Sequence, residues 1–80
     1  MLTYALRLAD RYDGMVMATC PDVPEVLALG RDSEEARDEA VRALEAALET
    51  YAAEGRQFPL PRATGKISIT TTRFGALATA

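Results

Sequence analysis

Eighty residues, 49% of them apolar, suffice for one small domain and are too apolar for a disordered chain. A single cysteine and no histidine exclude an internal disulfide and a Cys/His zinc site within one chain. The net charge of −3 is unevenly spread: before Gly55 twelve acidic residues stand against five basic ones, and from Gly55 onward Arg56, Arg62, Lys66 and Arg73 have no acid among them.

Residues 2–9 alternate, with Leu2, Tyr4, Leu6 and Leu8 on one face and Thr3, Ala5, Arg7 and Ala9 on the other. Period two is the pleat of a half-buried strand. Asp13-Gly14 signals a hairpin, since the turn wants backbone angles that Asp tolerates and Gly prefers. Residues 15–20 (MVMATC) form the returning strand, and their weaker alternation leaves its facing open. In PDVPE, residues 21–25, Pro21 and Pro24 cannot donate to a ladder, so the segment is a bend or bulge. Residues 26–30 (VLALG) read as a short third strand that Gly30 ends.

The longest signal is a helix from Ser33 to Gly55. Asp32 is its N-cap, and Glu35 stands where it can reach back to complete a capping box. Ala36, Ala40, Ala43, Leu44, Ala47, Leu48 and Tyr51 make one apolar stripe, rich enough in alanine for the helix to lie close on a sheet. Asp38, Arg42, Glu45 and Glu49 fall on the opposite face, where Asp38 and Arg42 have the spacing of a favourable i,i+4 pair. Gly55 is the left-handed stop. Prolines keep residues 56–65 extended, and the β-branched run at residues 66–72 reads as a fourth strand. The order β-β-β-α-β predicts an α+β domain: an antiparallel three-stranded meander, one long helix on its apolar face, then a fourth strand. Residues 1–72 are expected to form the domain, and residues 73–80 a short tail.

The ordered set over residues 4–61 resembles the HicB-like antitoxin family. It comprises the Pro21-Asp22-x-Pro24 bend, a strand ending in Gly30, Glu34-Glu35-Ala36 in a capped helix, the Gly55 stop and the Pro59-x-Pro61 exit. The resemblance implies a partly degenerate RNase H-like fold and no enzymatic activity. It also implies a partner: a HicA-like toxin, small, basic and mRNA-cleaving, whose active surface the antitoxin covers. Two departures stand out. Ala28 occupies a position where the family often has Thr, and an eight-residue tail cannot supply a complete two-helix DNA reader, so direct DNA binding is not expected of it.

Two readings of the bend remain open. Asp22 can bond nearby backbone and stiffen the turn. Alternatively Pro21, Asp22, Pro24 and Glu25 form an exposed rim whose carboxylates pair with Lys or Arg of a toxin. Asp10, Asp22, Glu35 and Glu39 are candidate carboxylates for a metal-dependent nuclease, but nothing in their spacing makes them converge. Ser33, Thr70 and Cys20 have no histidine to act as base. No cofactor is expected. A stand-alone regulatory or assembly module of the same fold is the alternative to an antitoxin. A chain this short buries only about 60–65% of its unfolded surface, so a homodimer or larger oligomer is a natural supplement, with residues 66–72 the candidate open edge. No apolar run approaches membrane-spanning length, and MLTYALRLAD does not read as a signal peptide. A single cysteine and no histidine fit a reducing cytoplasm, which is the expected location.

Overall fold

The alternating, bend and helical signals resolve into five elements in the computed structural model, which describes residues 2–65 and 67–71. They are β1 (Leu2–Asp10), β2 (Val16–Thr19), β3 (Leu27–Gly30), α1 (Ser33–Ala53) and β4 (Ile67–Thr71). The strands form one antiparallel sheet in the order β3-β2-β1-β4, with α1 on one face. The α+β expectation therefore holds, and β4 joins the meander beside β1. The tail assigned to residues 73–80 lies outside the described residues, as do Lys66 and Thr72 at the ends of the expected fourth strand.

Tyr4 and Leu6 of β1, Val16 and Ala18 of β2, and Ile69 of β4 point under the helix and are buried. They meet Ala36, Ala40, Leu44 and Leu48 of the predicted stripe. The open question of β2's facing is thus settled by Val16, Ala18 and, just beyond the strand, Cys20.

β3 sorts its residues by size. Ala28 and Gly30 face the helix, whereas Leu27 and Leu29 are 62% and 40% exposed. The reason is steric. A Cβ placed on Gly30 would lie 2.2 Å from the Ala36 amide nitrogen, so the helix start leaves no room for a side chain. Gly30 was expected to end the strand; close approach of the helix is what requires glycine there.

The helix ends follow their signals with local adjustments. Asp32 accepts the Glu35 amide at 2.8 Å. Glu35 reaches back one residue further than a capping box predicts, accepting the Arg31 amide at 3.2 Å and its guanidinium at 2.9 Å. At the other end Gly55 has φ +69°, and the amides of Gly55 and Arg56 donate to the carbonyls of Ala52 and Tyr51. That pair of bonds is a Schellman motif. The contact that usually accompanies it is made by Arg56, whose guanidinium carbon stands 4.1 Å from the Tyr51 ring centre. On the outer surface Arg42 pairs with Glu39, three residues away, and not with Asp38 as its spacing suggested.

The first hairpin also differs in detail. Gly14 alone has positive φ, at +82°, while its amide donates to the Arg11 carbonyl and the Arg11 amide donates to Met15. This is a three-residue loop, not the two-residue turn in which Asp13 would also be left-handed.

Candidate interaction site at the proline bend

PDVPE forms two successive turns. The Val23 amide donates to the Cys20 carbonyl at 3.1 Å, and the Val26 amide to the Val23 carbonyl at 2.9 Å. Pro21 and Pro24 each take the second position of one turn, where the ring's fixed φ is already correct and no amide is wasted. The repeat of three sends Cys20, Val23 and Val26 into the core, each at most 1% exposed. It leaves Pro21, Pro24 and Glu25 exposed and Asp22 partly so.

The two carboxylates have different tasks. Oδ2 of Asp22 accepts the backbone amides of Arg62 at 3.0 Å and Ala63 at 2.8 Å. The backbone it holds is therefore about forty residues on, not adjacent as the sequence suggested. Glu25 accepts the Tyr51 hydroxyl at 2.7 Å. That bond holds the Glu25 carboxyl below its ordinary range and pushes the Tyr51 hydroxyl up. Nearby, Tyr4 donates to the Pro59 carbonyl at 2.7 Å. Burial raises the Tyr4 hydroxyl and the Cys20 thiol above their usual values.

The site is thus a joint between three segments: the bend, the end of α1, and a strap of residues 56–63 without regular structure. Pro21, Asp22, Pro24 and Glu25 do come together, with Asp22 turned to the strap and Glu25 toward the helix end. Sequence reasoning missed Tyr4, Tyr51 and Arg56 as members. A clue existed: a tyrosine closing an apolar stripe carries a hydroxyl that needs a partner.

The other carboxylates are spread elsewhere. Asp32, Glu34, Glu35, Asp38, Glu39 and Arg42 line a shallow groove along the first turns of α1, with Glu35 engaged by Arg31 and Glu39 by Arg42. Among the described residues, no three His, Cys, Asp or Glu side chains form a group able to hold a metal ion, and no helix is long and apolar enough to cross a membrane.

Known proteins were compared with this chain. Residues 3–71 match the family described as "HicB_like antitoxin of bacterial toxin-antitoxin system". A relative named Antitoxin HicB, from Pseudomonas fluorescens (strain Pf0-1), is 36% identical over all 80 residues of this chain and 54% of its own length. The chain thus spans about half of that curated relative. The crystal structure of the N-terminal domain of Burkholderia pseudomallei antitoxin HicB superposes with a TM-score of 0.63, covering 95% of this chain and 79% of that one. At 17% identity that likeness shows the fold alone.

Proposed function

Because this chain belongs to the HicB-like antitoxin family of bacterial toxin–antitoxin systems, we propose that it binds and neutralises a HicA-like toxin by covering the surface with which that toxin engages mRNA. The observation that carries this reading is the family match across residues 3–71, which takes in the helix and, but for Leu2, all four strands. Charge supports it. A surface that binds RNA phosphates is basic, and twelve of the first 54 residues here are acidic. Complementary fields of this kind speed encounter and reject wrong partners.

In this proposal the bend is the contact. Pro21 and Pro24 offer rigid, exposed rings, Glu25 offers a carboxylate whose charged form is favoured by the bond it accepts from Tyr51, and Asp22 keeps the strap beside them. The role is non-enzymatic: the sheet and helix are read as a degenerate RNase H-like scaffold in which Asp22, Glu35 and Glu39 are occupied by protein partners. A toxin that cleaves mRNA places the encounter in the cytoplasm.

Co-expression tests the proposal. Any short basic protein encoded beside this chain should arrest growth alone and be relieved when this chain is supplied. Glu25→Arg should slow association with that protein, and the difference from wild type should shrink in high salt. Persistent arrest with both proteins expressed and soluble would overturn the reading.

A further inference from the structure

Between Pro59 and Pro61 of the strap stands Leu60, a large apolar residue that is 57% exposed. Single exposed leucines are ordinary on protein surfaces. What sets this one apart is how firmly its backbone is held. On one side Tyr4 donates to the Pro59 carbonyl at 2.7 Å, and Phe58 is half-buried against the core. On the other side the amides of Arg62 and Ala63 donate to Asp22 at 3.0 and 2.8 Å. The proline rings fix their own φ, and Pro61 confines Leu60 before it to extended backbone. Three hydrogen bonds and two rings thus fix a leucine that stays outside.

The same bonds give Leu60 apolar company. Pro21 adjoins Asp22 and Pro61 adjoins Arg62, so the bond between bend and strap sets the exposed prolines of both segments near one another. The other exposed large apolar residues lie elsewhere: Tyr12 at the hairpin, at the opposite end of β2 from the bend, and Leu27 and Leu29 on β3. Charge does not account for this rim. Residues 56–63 carry Arg56 and Arg62 and no acid, so what the strap can offer a basic partner is apolar surface.

We propose that Leu60 is the apolar anchor of the toxin contact, seated in an apolar pocket beside the toxin's basic surface. The inference rests on the toxin reading above and adds the residue that holds the complex once it has formed. Proteins that hold single-stranded RNA combine a basic groove with apolar, often aromatic, faces on which bases stack. A toxin that engages mRNA offers both, and two parts of this chain answer them: the carboxylates of the bend meet the groove, and Leu60 covers the stacking face. Folding has already fixed the strap, so binding orders little further chain and its entropic cost is lowered. Exposed charges govern encounter, whereas a buried apolar anchor governs dissociation.

Binding kinetics of the full chain with purified HicA-like toxins test it. With a toxin that the wild type binds, Leu60→Ala should weaken the complex about tenfold, chiefly through faster dissociation, and leave the salt dependence of association unchanged. Leu60→Met should bind as the wild type does. Leu60→Glu separates the two chemistries. It adds a negative charge toward a basic partner, which charge alone would make tighter, and it should instead weaken binding more than Leu60→Ala. Tyr12→Ala, at the far hairpin, should bind as the wild type does. All these variants should keep the circular dichroism and melting temperature of the wild type, because both positions are mostly exposed. Leu60→Ala dissociating no faster than the wild type, Leu60→Glu binding more tightly, or a loss from Tyr12→Ala as large as that from Leu60→Ala would overturn the inference and leave the toxin reading standing. A wild type that binds none of the toxins would overturn that reading and this inference with it.

Discussion

Single side chains tie the bend to distant backbone, and their removal has distinct signatures. Asp22→Ala strips two amides of a charged acceptor and should cost about 1–3 kcal/mol in urea unfolding. The same variant should speed hydrogen exchange at Arg62 and Ala63; unchanged exchange there would contradict the strap's attachment. Glu25 acts through pH. Its carboxyl is held low chiefly because the charged form accepts the Tyr51 hydroxyl. Its contribution is therefore whole above the ordinary glutamate pKa and is lost as pH falls through the lowered native value. Tyr51→Phe should lower the melting temperature near neutral pH, and the gap from wild type should narrow through the acid range below pH ~4.5. A gap that stays constant down to strongly acidic pH would show that the bond to Glu25 is not its source. The bend itself was legible in Pro21 and Pro24, whose turn positions follow from proline chemistry. The partners of Asp22 and Glu25 were not, because Arg62, Ala63 and Tyr51 lie many residues away and only the folded chain brings them close.

Elements were legible wherever a local signal brackets them. The N-cap Asp32, the Ala-Leu stripe and Gly55 delimit α1, and alternation around Tyr4 and Leu6 orients β1. For β3 composition misleads. Leu-Ala-Leu-Gly is apolar throughout, and its larger residues would ordinarily be placed inside, yet the nearness of α1 reserves the inner face for Ala28 and Gly30. Mutational sensitivity should therefore run opposite to residue size. Gly30→Ala, one methyl, should destabilise by at least about 1–3 kcal/mol, since the obstruction is the backbone of Ala36. Leu29→Thr, losing a large apolar group from a face left exposed, should change chemical stability by less than about 1 kcal/mol. The reverse order would mean that α1 does not lie on β3 as described. Gly55→Ala should cost about 1 kcal/mol by forcing a side chain into left-handed backbone at the helix stop.

At the scale of the whole molecule, one helix lies on one face of the sheet, and among the described residues no further element covers the other face or pairs with the β3 and β4 edges. An acidic exterior and a rigid bend complete a body built for contact, and none of its carboxylates gathers into a metal-holding group among the described residues. Fold and family were both within reach of the sequence because they rest on ordered local signatures. Which side chains of the bend stay free for a partner was not, since that depends on which of them the fold consumes internally and which it leaves outside. The central claim is neutralisation by direct occlusion. It is tested by adding purified chain to a HicA-like toxin that it binds, in an RNA-cleavage assay, while binding is followed in parallel. The account predicts that cleavage stops at stoichiometric addition and that RNA and this chain compete for the toxin. Full cleavage by a toxin saturated with this chain would contradict it.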